Sequence, residues 1–288
     1  MMNNTFGIST HCLAGVDPES HLPLFARHGF TDIELNLGYW PWLADDAALA
    51  RLKAIIAGCG LNIWAYHMPY GGTVAEAGNI DPAHPDAAVR EATVTAVAWA
   101  MERLADLGGR RLVIHPNAVH LKAEDRAGAM ARSCHTLRAC QEELAALAVR
   151  RAEAREIVLA VEPMPPWGLL NRPEEVDALM GELDPNHVGL CLDVNHINLA
   201  AQDPIEYVKR IGGFVRTTHL SDNDACDERH WVPGRGVLPW ADLLAALTGS
   251  GYDGPLIFET GQFGADAQDT VAQLAGLKET LRSGVAGH

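Results

Sequence analysis

Six apolar runs in this sequence end on a side chain that can hold a cation or move a proton. Residues 61–66 run into His67, 111–114 into His115, 157–161 into Glu162, 187–192 into Asp193, 214–218 into His219 and 255–258 into Glu259. Short continuous apolar runs read as strands buried on both faces. A carboxylate at the end of such a run has either reached solvent or found a partner, because an unpaired charge is costly to bury. One such ending would carry little weight. Six equivalent placements point to one shared site, and imidazole with carboxylates is a donor set for a divalent metal.

For these ends to meet, the strands must lie parallel and curl into a ring. The chain supplies the units for that. A first strand is expected at 6–11, followed by a helix at 17–28 with Asp17 and Pro18 as cap and first turn. The second strand, 31–36, carries Glu34 and Asn36 inward or upward, and an aromatic loop follows at 38–42. A helix at 44–58 ends before Gly60, a C-cap residue. The Gly- and Pro-containing stretch from His67 to Pro85 reads as a lid-like loop. Helices are expected at 86–107, at 123–156 with one break, from Asn171 onward, at 204–210, at 240–248 and at 266–281. The alternation gives eight βα units in one domain spanning 1–288, a single (β/α)8 TIM barrel of the α/β class. In that fold the C-terminal strand ends form one mouth, where active sites sit.

Composition narrows the function. The length of 288 residues suits one barrel, and 48% hydrophobic residues can fill its core. A net charge of -15 argues against nucleic acid or an anionic membrane as partner. Cys12, Cys59, Cys134, Cys140, Cys191 and Cys226 form no C-x-x-C pair and read as scattered structural residues. Neither a secretory signal nor a stretch of about 20 apolar residues is visible, so the cytoplasm is the expected location. The lysines Lys53, Lys122, Lys209 and Lys278 fall in expected helices, which disfavours Schiff-base chemistry. A phosphate-binding glycine motif is absent.

The leading metal set is Glu162, Asp193, His219 and Glu259. Its mixed oxygen and nitrogen donors suit Mn²⁺, Mg²⁺, Co²⁺ or Zn²⁺. Around these residues the sequence reads Val161-Glu-Pro163, Leu192-Asp-Val-Asn-His196, His219-Leu-Ser-Asp222, His230-Trp-Val-Pro-Gly-Arg-Gly236 and Phe258-Glu259. In this order the pieces resemble the xylose isomerase-like TIM barrels, which include sugar isomerases, ketose 3-epimerases, inosose-processing enzymes and endonuclease IV. The resemblance implies that Glu162 and Glu259 are catalytic as well as metal ligands, with manganese first among the candidate ions. One glutamate takes a proton from the carbon beside a carbonyl and the other returns it, through a metal-stabilised cis-enediolate. Return to the opposite face is epimerisation; return to the neighbouring carbon is isomerisation. The implied substrate is a sugar, sugar acid or cyclic polyol, and the implied assembly is a homodimer or homotetramer.

His67, His115, His196, Trp167, Arg229 and His230 are the expected substrate contacts. The ketose 3-epimerases carry a glutamate shortly after the Glu-Pro and an arginine shortly after the seventh-strand histidine. Here Glu162 is followed by Pro-Met-Pro-Pro-Trp-Gly, and no basic residue follows His219 before Arg229, which implies a different specificity. The aromatic residues Tyr39, Trp40, Trp42, Trp64, Tyr66, Trp167 and Trp231 fall mostly at expected mouth loops or strand ends, where their faces suit a sugar. Two rival readings stand beside this one. A metal-dependent dehydratase or lyase would begin with the same proton abstraction. An endonuclease IV-like phosphodiesterase would use further metal ligands, for which His67, His115, His196, Glu228 and His230 are the candidates. The acidic charge opposes the second rival.

Overall fold

The computed structural model of the chain describes residues 4–200 and 203–282. Eight parallel strands make one sheet: β1 (Phe6–Ser9), β2 (Asp32–Leu35), β3 (Asn62–His67), β4 (Arg111–Ile114), β5 (Val158–Val161), β6 (Val188–Asp193), β7 (Val215–His219) and β8 (Leu256–Phe258). Each strand from β1 to β6 pairs with the next in sequence, and β1 pairs with β8. The helices between them are α1 (Pro18–Arg27), α2 (Trp40–Ala44), α3 (Asp46–Cys59), α4 (Ala87–Asp106), α5 (Arg126–Arg150), α6 (Pro173–Met180), α7 (Val194–Leu199), α8 (Pro204–Ile211), α9 (Trp240–Gly249) and α10 (Ala267–Arg282). This is the expected single (β/α)8 TIM barrel.

The last seam, between β7 and β8, closes by a short bridge at the mouth. Leu220 pairs with Phe258; the Leu220 N–H donates to the Ile257 carbonyl at 2.8 Å and the Glu259 N–H to the Leu220 carbonyl at 3.1 Å. Closure therefore occurs beside His219 and at Glu259 itself, which fixes two site residues against one another. Asp193 and His219 face each other in register on β6 and β7. The helix caps expected from sequence are present: Asp17 accepts from Ser20 N–H, and Gly60 ends α3 with a φ of 66°, a left-handed conformation that glycine adopts without strain.

Local structure departs from expectation at the mouth. The aromatic stretch at 38–42 is a short 3₁₀ turn (Leu37–Tyr39) running into α2, with Tyr39 and Trp40 buried in the core. Pro41 sits in the first turn of α2, where proline is compatible with a helix. The long segment at 123–156 is α5 flanked by two 3₁₀ turns. The short α7 was not anticipated; Asp193 caps it by accepting the His196 N–H. Trp64 lies on the extra residue of a β2–β3 register shift, half-buried, with its Nε1–H donating to Thr217 Oγ1 and the Arg111 guanidinium over its ring. It is therefore taken up by strand packing and not by the mouth.

Candidate active site

Asp193 shows how the backbone aims a ligand. Its Oδ1 is used as the cap of α7, accepting from His196 N–H at 3.0 Å. Its Oδ2 is buried with no hydrogen-bond partner among the described residues. That oxygen lies 3.9 Å from Nδ1 of His219, which in turn stands 3.3 Å from Glu162 Oε1 and 3.1 Å from Glu259 Oε2. One donor atom from each of Glu162, Asp193, His219 and Glu259 lies within 4.8 Å of the others, and all four residues are buried. Donors at about 2.1 Å from one ion stand roughly 3.0–3.4 Å apart, which the distances from His219 to the two glutamates match, with Asp193 Oδ2 somewhat farther off. Three buried carboxylates around an orphaned oxygen demand positive charge. The residues fit a divalent cation.

The electrostatics of the side chains agree. Without a bound cation, burial would raise the Glu162 pKa, but the charge of His219 and hydrogen bonds from His115, His219 and His67 hold it well below the usual range. Burial pushes Glu259 up to about 7, with Glu162 and Glu34 adding to the rise and His219 opposing it. The two carboxylates on one cavity thus differ in their affinity for a proton.

The other expected residues are also gathered here, with one exception. His67 and His115 approach the second oxygen of Glu162, their Nε2 atoms at 3.1 and 3.4 Å from Oε2, and these three residues form another possible metal group. His196 donates from Nδ1 to the Pro163 carbonyl at 3.0 Å. Its Nε2 lies 3.4 Å from Glu228 Oε1, and Nε2 of His230 lies 3.1 Å from the same oxygen. Trp167 lines the cavity with its ring stacked on His120. Arg229 is the exception. Its guanidinium turns to Asp224 and Asp227 on an exposed loop and lies over Trp231, so it does not line the cavity. Nearby carboxylates on its own loop hold it there.

The cavity measures about 170 Å³ and is also lined by His11, Asn36, Leu37, Tyr70 and Met164. Tyr70 stacks on His115 with ring centroids 4.3 Å apart. His11 stands 5.5 Å from His230, and burial lowers its pKa to about 4. Sequence reasoning gave His11 no role, although it closes the first expected strand just as the other ligands close theirs. Glu34 was placed on its strand without a function. Its Oε2 lies 3.0 Å from Nε2 of His219, and both side chains are fully buried. A carboxylate between the apolar residues Ile33 and Leu35 was the available signal.

Comparisons with known proteins follow this geometry. The chain is 27% identical over 254 residues to the D-psicose 3-epimerase of Ruminiclostridium cellulolyticum, covering 84% of this chain and 78% of that protein. It is 31% identical over 110 residues to an inosose dehydratase of Lacticaseibacillus casei, covering 32% of this chain and 37% of that one. Matches to several other curated relatives span between 28% and 67% of their lengths. The solved structure of a D-psicose 3-epimerase in the presence of D-fructose superposes with a TM-score of 0.80 at 19% identity, covering 98% of this chain and 100% of that one, a likeness of fold. A family model described as xylose isomerase-like TIM barrel matches residues 22–280. With the barrel and its strand-end residues in place, that match makes the chain a member of the xylose isomerase-like TIM barrel family.

Proposed function

We propose that the protein is a metal-dependent epimerase or isomerase acting on a neutral sugar or cyclic polyol. The observation that carries this reading is the placement of Glu162 and Glu259, together with Asp193 and His219, in one buried donor cluster at the floor of the cavity. Asp193 and His219 are fully buried and do not line the cavity, so neither meets a bound molecule directly. The two glutamates line the cavity and can reach a bound molecule. A divalent cation held by these four residues supplies positive charge where an oxyanion develops. Glu162 and Glu259 take and return the proton on the carbon next to the carbonyl. His196 and His230 line the cavity and would hydrogen-bond substrate hydroxyls, His196 by exchanging its contact with Glu228, and Trp167 and Tyr70 would offer apolar ring faces.

Substrate charge follows from the lining. Among the described residues, those around the cavity include histidines and three glutamates but no lysine or arginine. A phosphate or carboxylate on the substrate would meet carboxylates without a guanidinium or ammonium to bind it. The D-psicose 3-epimerase likeness supports the neutral ketose. The test is incubation of metal-loaded protein with ketoses, aldoses and inososes in D₂O, read by NMR. Deuterium entering the carbon beside the carbonyl is expected. Loss of water from an inosose, with no epimer or isomer formed from any member of the panel, would replace the reading with the lyase.

A second reading rests on the gathering of His67, His115 and Glu162 and of His196, Glu228 and His230 beside the main cluster. These groups would complete a multinuclear phosphodiesterase centre. Two or three ions per chain by metal analysis, with nicking of abasic DNA, would favour it; one ion per chain supports the epimerase.

A further inference from the structure

We propose that Glu34 is a positioning residue for the metal centre, taking the Nε2–H of His219 and thereby presenting Nδ1 of that imidazole to the cation. The inference rests on the metal reading above and adds a residue that reading does not contain. Glu34 comes from β2 and His219 from the end of β7, so the contact crosses the barrel interior. The oxygen–nitrogen distance is 3.0 Å, and neither side chain is exposed.

A neutral imidazole has one N–H and one lone pair, and its partner decides which nitrogen carries which. A carboxylate at Nε2 selects the tautomer protonated there. The lone pair is then on Nδ1, the atom that stands 3.1–3.9 Å from oxygens of Glu259, Glu162 and Asp193. The ring is further fixed by stacking on His67 at 5.7 Å with planes 17° apart.

Three features argue that Glu34 serves this contact and not the fold at large. It is fully buried, where a carboxylate is costly unless a specific partner is served. Its other oxygen, Oε1, has no hydrogen-bond partner among the described residues, so the carboxylate is buried for one bond. Glu34 is not among the residues lining the cavity. It acts through His219 and not on substrate. Outer carboxylates of this kind typically change metal affinity by about 10- to 100-fold when removed.

The test is calorimetric titration of metal-free wild type, Glu34→Gln and Glu34→Ala with Mn²⁺ and with Zn²⁺, without substrate. Circular dichroism of each metal-free protein accompanies it. Glu34→Gln keeps the shape and an acceptor oxygen and loses the charge. The expected result is native circular dichroism with affinity weakened about 10-fold in Glu34→Gln and up to about 100-fold in Glu34→Ala. If Glu34→Ala fails to fold, the isosteric Glu34→Gln decides. NMR of ¹⁵N-histidine-labelled, Zn²⁺-loaded wild type should show the Nε2–H tautomer for His219. Wild type that binds metal while the folded variants bind within about twofold of it, or an Nδ1–H tautomer, would overturn the role of Glu34 alone. Wild type that binds neither ion would overturn the metal reading with it.

Discussion

Glu162 is the residue on which most contacts converge. One oxygen faces His219 and the metal cluster, and the other faces His67 and His115. Replacing it with glutamine removes a proton acceptor and a ligand at once, at almost unchanged volume. Glu162→Gln is expected to slow deuterium exchange into substrate by at least about 100-fold and to bind less metal; full exchange in this variant would exclude a role for Glu162 in proton transfer. Arg229 gives the opposite expectation. Its partners are Asp224 and Asp227 on the exposed loop, and such pairs contribute little. Arg229→Ala should leave kcat/KM within about twofold of wild type, as measured on whichever substrate exchanges. A large rise in KM would show that this loop swings over the cavity during turnover. The contrast between the two marks what residue types alone could reveal. A glutamate ending an apolar strand has few structural reasons to be there. An arginine on a polar loop has many, and only the position of the neighbouring aspartates decides among them.

At the scale of elements, the loop after β7 needs the most explanation, because it carries Glu228 and His230 to the cavity without a helix to hold them. Its anchor is Asp222, fully buried. Oδ1 accepts from Asn223 and Leu238 N–H at 2.9 and 3.2 Å, and Oδ2 from Gly234 N–H and Trp240 Nε1–H at 2.9 and 2.8 Å. Gly236 packs so closely that an added Cβ would lie 2.3 Å from Asp222 Oδ1 and 2.1 Å from the Asn223 carbonyl. Asp222→Asn would turn an NH₂ group toward two donors whichever way the amide points. We expect a loss of about 3 kcal/mol and a fall in Tm of roughly 5–10 °C by thermal melt; a fall under about 2 °C would mean that the loop is held elsewhere. The strands were legible because their apolar runs are short and each stops at a polar residue. The short α2 and α7 were not. In α2 the aromatic residues and proline imitate a loop. In α7 the capping residue is itself the candidate ligand Asp193, so its polar side chain read as chemistry before structure. Glu34 escaped assignment for a related reason. The β2–β3 register shifts between Ile33 and Glu34, and no periodicity in a four-residue strand announces such a shift or which face it turns inward.

For the molecule as a whole, burying Asp193 and Glu259 at the mouth costs stability that a bound cation would offset. A net charge of -15 already loads the chain with negative charge, and Glu162, Asp193 and Glu259 bring three carboxylates into one buried space where β7 and β8 close the barrel. Burial raises the Asp193 pKa, with Glu162 adding to the rise and His196 opposing it. A raised carboxylate pKa means that the folded state disfavours the charged form, so its contribution to stability falls as pH rises above the unfolded value. A cation bound only to the native state reverses this, contributing about 2.7 kcal/mol when free metal is 100 times its Kd. For a barrel of this size that corresponds to a rise in Tm of roughly 5–10 °C. Chelator should remove the rise and Mn²⁺ restore it. The variant Asp193→Asn separates the two effects, because its amide oxygen can still cap α7 while the charge is gone. Its metal-free form should melt at or above metal-free wild type, and added Mn²⁺ should leave its Tm nearly unchanged. His230→Ala should keep the rise and Glu162→Gln should lose it if one ion sits among Glu162, Asp193, His219 and Glu259. A metal-free Asp193→Asn protein that melts well below wild type would show that Asp193 serves the fold more than the ion, and a rise lost in His230→Ala would extend the centre to Glu228 and His196.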